Sequence, residues 1–592
     1  MKTSESSIPM PEMTDTSSKA SGAEDAPVED APVNANADLE SGDEDLDKGA
    51  FDDKPKHIIA VVMIALSLAA FLAALDSTIV ATALPAISEH FQSSSGYTWI
   101  GSAYLLASAA STPLWGKLAD IFSRKPTLLF ANVVFLVGSL VAGLANSIGM
   151  LIAARAVQGI GGAGLLTLVD IVICDMFSLR TRGAYLGMIG GVWALACALG
   201  PLIGGAFTQE ASWRWCFYIN LPLDGIAFFI VLFFLKIDSP RTPIIAGFKA
   251  IDWLGTLTIS GGTLMFLLGL QYGGVTHPWA SAIVLCLIIF GLLLAGLFLL
   301  VEWKFAKYPL IPFSVFATRS NGAAIMFAFI HGLVFIAEFY YLPLYFQIVK
   351  GAKPLLSGVY ILPSALGTGL AAAATGGFIA GTGKYLPPIY FGAVMTTLGY
   401  GLLINFGVNT GWAKLVIFQL ILGVGVGPNF QAPLVALQAG INPRDIATST
   451  ATFNFVRTLA TSISVVLGQV VFQNQMKKKG PMLVQQLGPE LARQLGGADA
   501  AANAGLIDAL PAAQKLAAQT AFAKSLSSMW IMYCGLSVLM IICAAFIGRK
   551  VLTREHQVQE VGLEAEKRNA AARKEEERVK KQAKVDKKAA KV

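Results

Sequence analysis

The chain contains fourteen apolar runs that are each long enough to cross a lipid bilayer as a helix. A bilayer core about 30 Å thick requires about 20 apolar residues. Inside it every backbone polar group must be paired within the protein, which leaves the helix as the fold for such runs. Only 14% of the residues are charged and 55% are hydrophobic, so we predict an all-α polytopic membrane protein. The predicted spans 1–14 cover residues 57–84, 98–118, 127–146, 149–172, 184–206, 213–235, 251–271, 280–301, 320–349, 354–380, 385–406, 412–435, 445–472 and 529–548.

Lysine and arginine are unevenly distributed over the short loops. Loops after even-numbered spans carry thirteen of these residues, and loops after odd-numbered spans carry at most four. Because basic loops stay in the cytoplasm, both tails are predicted to be cytoplasmic, and span 1 is expected to act as the targeting signal without a cleavable leader. Residues 473–528 then form an extracytoplasmic loop. Its leucines recur every four residues, which predicts an amphipathic helix: Leu483, Leu487, Leu491 and Leu495.

Both tails are polar, and six cysteines lie within or beside the apolar runs. Residues 1–55 are acidic and poor in aromatic residues, which predicts a disordered cytoplasmic tail. Residues 549–592 predict a charged, partly helical cytoplasmic tail that either touches anionic lipid or is simply solvated.

The cysteines lack metal-ligand spacing, so we expect small buried hydrophobic groups and no metal site. They are Cys174, Cys197, Cys216, Cys286, Cys534 and Cys543.

The sequence repeats internally. Span 4 from Arg155 to Gly164 and span 12 from Gln419 to Gly427 have glycines at the same offset, with Gln419 in the place of Arg155. The loop 116–126 has a weaker echo after span 10. Two related six-helix bundles around a midplane site are a transporter architecture. We therefore predict an amino-terminal bundle at 56–236, a two-helix insertion at 237–319 and a carboxy-terminal bundle at 320–548.

A formal nucleotide-binding pattern in span 4 does not indicate a nucleotide site. The run from Gly159 to Gly164 matches G-x-G-x-x-G, but it lies inside an apolar helix and no strand precedes it. Small residues at this spacing let two helices pack closely. The sequence contains no G-x-x-x-x-G-K-[ST] motif, so we expect no ATP-driven motor, no bound cofactor and no nucleic-acid partner.

Two charged residues lie within predicted spans of the first half. An acid such as Asp76 at membrane depth costs about 2.5–3.5 kcal/mol and therefore needs a partner or a function. Counting at 1.5 Å per residue, Asp76 in span 1 and Arg155 in span 4 both lie roughly 9–12 Å below the outer surface. This matched depth permits an ion pair. The pair is either a structural salt bridge or one that opens when the carboxylate binds a proton.

Two further segments of the first half carry residues that suit conformational change. The run from Gly200 to Gly205 in span 5 contains Pro201, which removes a helix hydrogen bond, so it is either a hinge or seal or merely a kink. In the loop 116–126, Asp120 and Arg124 are four residues apart, and Asp175 beyond span 4 completes a charge cluster at the inner face. Such a cluster latches one conformation, although the basic residues also serve topology.

Together these motifs resemble the three signatures of the drug:proton antiporters of the major facilitator superfamily. The run from Asp76 to Val80 and the segment 213–222 resemble the fourteen-span branch, and the likeness covers about residues 57–548. It implies an alternating-access exporter driven by the proton gradient. The implied roles are proton coupling for Asp76 and Arg155, an antiporter hinge at Gly200, Pro201, Gly204 and Gly205, and an inner charge relay of Asp120, Arg124 and Asp175. The sequence departs from the family pattern at Ala81, Ile121, Ser123 and Ala196.

The second half supplies polar and aromatic candidates for a substrate cavity. His331 and Glu338 lie seven residues apart and share one face of span 9. Charge at depth should face a cavity or a partner, so Glu338 is expected to line the cavity, with a structural pair to Arg457 as the alternative. The candidate cavity residues are Gln158, His331, Glu338, Tyr341, Asn429, Phe453, Asn454 and Arg457.

Three functional hypotheses follow. The first is a proton-coupled exporter of small, largely apolar compounds such as drugs, toxins or secondary metabolites. The second is a carrier of basic amino acids or iron chelates in the same fold. The third, a nutrient sensor that transports nothing, is weak because a sensor has no need for the charge pair and the proline motif together. We expect a monomer that is not an enzyme and uses the proton as its coupling ion. The resemblance implies a fungal plasma-membrane protein, with the vacuolar membrane as the alternative.

Overall fold

The computed structural model describes residues 55–92, 94–237, 242–274, 276–495, 506–507, 510–554 and 561–589, so the predicted disordered tail lies outside it apart from residue 55. The described residues confirm the all-α prediction, because they contain no named strand. The α-helices are Lys56–His90, Ser94–Phe122, Arg124–Gly143, Ile148–Met176, Arg182–Glu210, Trp215–Tyr218, Asn220–Phe234, Ile244–Ala250, Trp253–Tyr272, Ala282–Lys304, Arg319–Ile348, Pro354–Thr382, Leu386–Leu403, Trp412–Val426, Ala432–Gln438, Ile446–Lys478, Gly480–Leu487, Pro489–Leu495, Ala512–Ala545 and Leu563–Ala589.

Thirteen helices in the described part of the chain are long and apolar enough to cross a membrane. They correspond to predicted spans 1 and 3–14. The helix Ser94–Phe122, predicted span 2, is not among them, and it carries Lys117 and Asp120 near its end. It nevertheless packs closely against span 4, because a Cβ atom built on Gly159 would lie 2.3 Å from the carbonyl oxygen of Tyr104.

Several spans begin at side-chain caps that the sequence supplies. Ser147 accepts a hydrogen bond from the backbone N–H of Met150 and starts span 4. Asp252 accepts one from Gly255 at the start of span 7. Each cap satisfies a backbone donor that has no partner within the first helical turn. Span 10 ends at Gly383, which takes the left-handed backbone conformation (φ 67°) that favours glycine.

The glycine repeat has the same geometry in both halves. A Cβ on Gly159 would collide with span 2, and a Cβ on Gly161 would lie 2.5 Å from the backbone nitrogen of Phe135 in span 3. In span 12, a Cβ on Gly423 would lie 2.2 Å from Ser364 O of span 10, and one on Gly425 would lie 2.3 Å from Thr396 N of span 11. Span 12 therefore packs against spans 10 and 11 as span 4 packs against spans 2 and 3.

Span 12 is interrupted, whereas the sequence predicts one continuous span. Its first helix ends at Val426, a 3₁₀ turn covers Gly427–Asn429, and a second helix covers Ala432–Gln438. Pro428 and Pro433 lack the backbone N–H that a continuous helix would need. Broken helices of this kind are tolerated at membrane depth where they are buried in protein.

Both ends of the segment 473–528, predicted to be an extracytoplasmic loop, are helical. The span 13 helix continues to Lys478, and the span 14 helix already begins at Ala512. The early turns of that helix bury Ala518 and Phe522, so packing outside the apolar window sustains the helix. The four leucines lie on two short helices separated at Gly488, where φ is +84°; three of them are buried: Leu483, Leu487 and Leu495.

The inserted spans 7 and 8 pack against each other and expose apolar side chains. A Cβ built on Gly262 of span 7 would lie 3.0 Å from Gly291 O of span 8. Their outer surface displays large apolar side chains such as Leu257 and Leu293, which suits contact with lipid. Cys286 is also exposed here, and Cys534 and Cys543 are half-buried. The prediction that all six cysteines are buried is therefore wrong for these three.

Spans 1–6 and spans 9–14 meet on the face that carries the loop between spans 2 and 3, which we call the inner face. A Cβ on Gly116 would lie 2.4 Å from Ala451 Cβ in span 13. Arg180 donates hydrogen bonds to the carbonyl oxygens of Ala380 and Gly381 at the end of the span 10 helix. The two halves are therefore joined at the inner face.

Candidate functional site

Asp76 and Arg155 form an ion pair between spans 1 and 4. Arg155 Nη1 donates to Asp76 Oδ2, and Arg155 Nη2 lies 3.3 Å from the backbone oxygen of Asp76. Both side chains are buried, with relative exposures of 0% and 1%. A buried carboxylate is tolerated when its charge is paired and its remaining lone pairs accept hydrogen bonds.

Two amides supply the other hydrogen bonds to this carboxylate. Asp76 Oδ1 accepts from Gln158 Nε2 at 3.1 Å and from Asn220 Nδ2 at 3.0 Å. Both amides also lie within hydrogen-bond distance of Ser139 Oγ. Spans 1, 3, 4 and 6 therefore meet at one carboxylate. Gln158, predicted to line a substrate cavity, belongs to this buried polar cluster.

The surroundings of Arg155 fix its guanidinium in one orientation. Its Nε atom donates to the carbonyl oxygen of Ile100 in span 2 at 3.2 Å. Its Cζ atom lies 4.5 Å above the ring of Tyr104, whose hydroxyl donates to Ala73 O in span 1. Arginine presents several donors in a planar fork and stacks on aromatic rings, which a lysine cannot reproduce.

The predicted hinge in span 5 packs directly on the helix that carries Asp76. A Cβ on Gly200 would lie 2.1 Å from Thr78 Oγ1, and one on Gly204 would lie 2.2 Å from Ile79 O. On the other side of span 5, Pro201 and Gly205 face span 10 at Gly358 and Leu355, respectively. Span 5 therefore lies between the Asp76 helix and the second half.

The predicted inner charge cluster is assembled in the structure. Arg124 Nε lies 2.5 Å from Asp175 Oδ2, and its Nη1 lies 2.9 Å from Asp120 Oδ1. Arg124 also donates to the carbonyl oxygen of Ala119. The cluster ties the loop between spans 2 and 3 to the end of span 4.

An aromatic cluster joins the two halves in the interior. Trp193 of span 5 lies against three rings of the second half, with centroid distances of 5.2 Å to Phe335, 6.1 Å to Phe339 and 5.1 Å to Phe430. His331 stacks on Phe335 at 5.2 Å. Spans 5, 9 and 12 thus bring apolar, polarisable surfaces together, which is the chemistry of a permissive site for apolar compounds.

The other predicted cavity residues lie in three different places. Glu338 accepts a hydrogen bond from Ser364 Oγ of span 10 at 2.5 Å. Tyr341 donates to Val465 O of span 13. Asn429 donates to Gly425 O of its own span and packs on Gly392 of span 11, inside the second half. Among the predicted residues of spans 9 and 12, His331 contributes a ring to the aromatic cluster, against Phe335 and Phe430.

The alternative pair between Arg457 and Glu338 is wrong. Arg457 Nη2 instead donates to Asn454 Oδ1 at 2.9 Å, and its Nη1 donates to Phe430 O at 3.2 Å, beside the break in span 12. Its Cζ atom lies 5.6 Å from the ring centroid of Phe453. Glu338 and Arg457 therefore hydrogen-bond to different neighbours, and Glu338 Oε1 has no hydrogen-bond partner among the described residues.

Sequence reasoning missed Asp170, which connects the halves. Asp170 lies in span 4, is 3% exposed, and its Oδ2 accepts a hydrogen bond from Asn454 Nδ2 of span 13 at 3.0 Å. Asn454 therefore links Asp170 of the first half to Arg457 of the second. The rule that singled out Asp76, a carboxylate within an apolar run, would have found Asp170 and the buried Asp224 as well.

Two other missed residues carried weaker signals. Asn220 lies within the 213–222 segment, whose resemblance to the fourteen-span branch is noted above, but nothing in the sequence pairs it with Asp76. Trp193 is one of ten tryptophans, and an aromatic residue in an apolar span gives no sign of which helix it will face. Within the described residues, no group of three or more His, Cys, Asp or Glu could hold a metal ion.

The helical fold, the buried charge cluster in one half and the contacts between two repeated halves define a polytopic membrane transporter. The chain belongs to the Major Facilitator Superfamily, whose family model matches residues 66–465.

Curated relatives align over nearly the whole chain. An efflux pump of Dothistroma septosporum, dotC, is 63% identical over 522 residues, which cover 88% of this chain and 90% of the relative. The MFS-type transporter ppz2 of Metarhizium majus is 50% identical over 89% of this chain and 91% of its own length. The efflux pump FUS6 of Gibberella moniliformis is 36% identical over 88% of this chain and 92% of its own length.

Solved structures share the fold at low sequence identity. The proton:xylose symporter XylE aligns with a TM-score of 0.54 at 13% identity and covers 84% of this chain and 99% of its own. The human organic anion transporter MFSD10 aligns with a TM-score of 0.52 at 15% identity, over 82% of this chain and 99% of its own. This likeness shows the fold alone.

Proposed function

We propose that this transporter is a proton-coupled antiporter that exports small, largely apolar compounds by alternating access. The observation that carries the proposal is the fully buried Asp76 carboxylate, held by Arg155, Gln158 and Asn220. Buried ionisable residues in membrane transporters mark ion pathways. The names of the relatives dotC and FUS6, both efflux pumps, support the export direction.

A proton on Asp76 would break the balance of the buried cluster. With the carboxylate ionised, Arg155 has a counter-charge in a low-dielectric site. Once Asp76 binds a proton, the guanidinium is left without its counter-charge, and breaking a buried pair in this way costs about 3–5 kcal/mol. Proton binding therefore favours a different arrangement of spans 1 and 4, which supplies a driving force for the conformational change.

Span 5 is suited to pass that change to the substrate region. Thr78 and Ile79 follow Asp76 within one helical turn, and they are the residues against which Gly200 and Gly204 pack. The same span carries Trp193 into the aromatic cluster. A displacement of span 1 must therefore move span 5 or open a gap between the two helices, because packed interiors do not deform continuously.

The aromatic cluster is the proposed substrate region. Trp193, Phe335, Phe339 and Phe430 come from both halves, so the cluster changes shape when the halves rock. Aromatic surfaces with few fixed charges favour apolar, polarisable compounds over charged ones. This lining favours the export of apolar compounds over the carriage of basic amino acids or iron chelates.

We further propose the plasma membrane as the site of action, with both termini in the cytoplasm. The excess of basic residues in the loops of the inner face supports this orientation. In it, the inner face is cytoplasmic, and the contacts between Gly116 and Ala451 close the cytoplasmic side.

The test compares wild-type protein with the Asp76→Asn variant in proteoliposomes under an imposed pH gradient. Nile red, a neutral apolar fluorescent dye, reports transport until a resistance and export screen of deletion and overexpression strains names better substrates. Asparagine keeps the shape of the side chain and removes its titration. We expect Asp76→Asn to lose gradient-driven dye transport while protein yield and localisation stay unchanged.

Glu302→Gln provides the matched control. Glu302 is another buried acid, but it lies in inserted span 8 and accepts a hydrogen bond from Leu310 N at 2.9 Å, which glutamine can replace. We expect this variant to transport as wild type does. Full gradient-driven transport by Asp76→Asn, or wild-type transport that a protonophore leaves unchanged, would contradict antiport.

A further inference from the structure

The last helix of the chain, Leu563–Ala589, packs one of its faces against the inner face of the transporter. Along its first turns the buried residues lie on one side of the helix, with Ala565 beside Glu566 and Ala570 four residues further on. They include Glu566, which is 3% exposed, and Ala570, which is 7% exposed. The opposite side carries exposed charges, among them Glu564 and Lys567. We call this helix the tail helix.

The tail helix contacts the first half through a buried ion pair. Glu566 Oε2 lies 2.6 Å from Nζ of Lys117, at the inner end of span 2, and the lysine side chain is 0% exposed. Immediately before the helix, the backbone N–H of Gly562 donates to the carbonyl oxygen of Asp120 at 2.8 Å. Both contacts fall on the loop that also carries the inner charge cluster.

Apolar contacts hold the middle of the tail helix against the transporter. Ala570 belongs to a small buried cluster with Ile121 at the end of the helix Ser94–Phe122, Ile251 before the helix Trp253–Tyr272 and Tyr308 after span 8. Leu563 packs against the same cluster. The tail helix therefore spans the junction between the first half and the inserted helices.

The tail helix then reaches the second half through a second ion pair. Arg573 Nη2 lies 2.6 Å from Oδ1 of Asp445, the residue immediately before the helix Ile446–Lys478 of span 13. The aspartate is 0% exposed. Burial by itself disfavours the charged guanidinium, but the Asp445 carboxylate outweighs it and raises the pKa of Arg573 above its ordinary value. One turn further on, Glu576 Oε1 lies 2.7 Å from Nη2 of Arg444.

We propose that the tail helix is an autoinhibitory latch that binds both halves at once and holds the inner face closed. Glu566 and Arg573 are seven residues apart on a rigid helix, a distance of about 10.5 Å. Lys117 and Asp445 lie on different halves, so separating the halves at the inner face must break at least one of the two pairs. The tail helix must therefore detach from one half before the inner face opens. This inference needs neither the proton-coupling role of Asp76 nor any particular substrate.

A native cysteine reports the opening of the inner face directly. Cys174 near the inner end of span 4 is 1% exposed, and its sulfur lies 3.0 Å from Nε2 of Gln438 in the second half. When the halves part, this thiol becomes accessible. Full-length protein in nanodiscs is treated with N-ethylmaleimide, and alkylation is followed by peptide mass spectrometry. This measurement gives the alkylation rate of Cys174 separately from the rates of the other cysteines.

The experiment compares two double variants of the same helix. Glu566→Gln with Arg573→Gln removes both latch pairs. Glu564→Gln with Lys567→Gln removes an exposed pair from the opposite side and keeps the same overall change in charge. Couplings between sites typically change an equilibrium by about 5- to 150-fold, so we expect Cys174 to be alkylated about tenfold faster in the latch variant. The exposed-pair variant should match wild type.

A charge swap separates a latch from a general loss of structure. Lys117→Glu with Glu566→Lys restores the ion pair in the opposite sense, and we expect it to return the Cys174 rate toward that of wild type, whereas Glu566→Lys alone should raise it. The proposal is overturned if Cys174 is alkylated at the same rate in the latch variant and in the exposed-pair variant. It is also overturned if the charge-swap variant is well folded but its Cys174 is alkylated as fast as in Glu566→Lys. Failure of Asp76→Asn to affect transport would leave these rates untouched, so the two proposals fail separately.

Discussion

The contact between spans 1 and 5 predicts that a single methyl group at position 204 disrupts transport. In Gly204→Ala the new Cβ would lie 2.2 Å from the backbone oxygen of Ile79 and 2.6 Å from Thr82 Oγ1. The first of these atoms belongs to the main chain of span 1, so no side-chain rotation relieves it. Ordinary contact begins at 3.4 Å, and span 1 must therefore move by more than 1 Å relative to span 5.

The size of the effect follows from overpacking. Inserting a methylene-sized group into a well-packed interior costs about 1–3 kcal/mol, against a gain of about 0.5–1 kcal/mol when alanine replaces glycine within a helix. Asp76 lies one turn from Ile79, so the displacement also disturbs the ion pair with Arg155. We expect gradient-driven dye transport in proteoliposomes to fall severalfold and the melting temperature to drop.

The neighbouring glycine makes this prediction discriminating. A Cβ on Gly205 would lie 3.6 Å from the nearest atom of Leu355, which is ordinary contact, so Gly205→Ala should transport far better than Gly204→Ala. Gly225→Ala in span 6, where nothing lies within 4 Å, serves as the neutral control. Equal losses in Gly204→Ala and Gly205→Ala would refute the packing argument and favour backbone flexibility as the reason for the motif.

Three further variants test other parts of the site. Arg155→Lys keeps the charge but loses the guanidinium group that contacts both Asp76 and Ile100. Because each hydrogen bond to a charged group is worth about 1.5–3 kcal/mol, this variant should have a lower melting temperature and no gradient-driven dye transport. A fully active variant with the melting temperature of wild type would contradict this expectation. Trp193→Ala removes an aromatic ring from the proposed substrate region, where a stacked aromatic pair is worth about 0.5–1.5 kcal/mol. The KM for apolar aromatic dyes should therefore rise, while Trp193→Phe should retain most of the affinity. Unchanged KM values would exclude Trp193 from the substrate region. Asp170→Ala leaves the buried Asn454 amide without its acceptor, which costs about 1–3 kcal/mol and should lower the melting temperature. Asp170→Asn keeps a hydrogen-bond acceptor and should lower it less.

Much of the fold was predictable from the sequence because membrane depth imposes strict rules. Apolar length located all thirteen helices of the described residues that are long and apolar enough to cross a membrane. The glycine offset between Gly159 and Gly423 identified the repeat whose packing the structure displays. The start of the last apolar helix at Ala512 was not predictable, since its early turns are sustained by packing and not by an apolar run.

The candidate site was predictable where a single charged side chain lies at membrane depth, because its burial costs free energy unless it is paired. Asp76 and Arg155 could be paired from depth alone, because each needs a partner in the same layer of the membrane. The partners of Arg457 could not be assigned in this way, because its guanidinium donates to neutral acceptors. These are the backbone carbonyl oxygen of Phe430, at the break in span 12, and the side-chain oxygen of Asn454. The contacts of Trp193 could not be predicted either, because the rotation of a helix about its axis decides which of its aromatic residues face the other half.

The most direct measurement of the central claim is whether a substrate gradient drives protons the other way. Proteoliposomes loaded with a pH-sensitive dye and an outward gradient of a transported compound, without any imposed pH gradient, should acidify inside with wild-type protein as protons enter in exchange. Asp76→Asn should show no acidification, while Glu302→Gln should acidify as wild type does. Substrate efflux without proton entry in the wild-type protein would contradict antiport, and proton entry through Asp76→Asn at the wild-type rate would remove Asp76 from the coupling step.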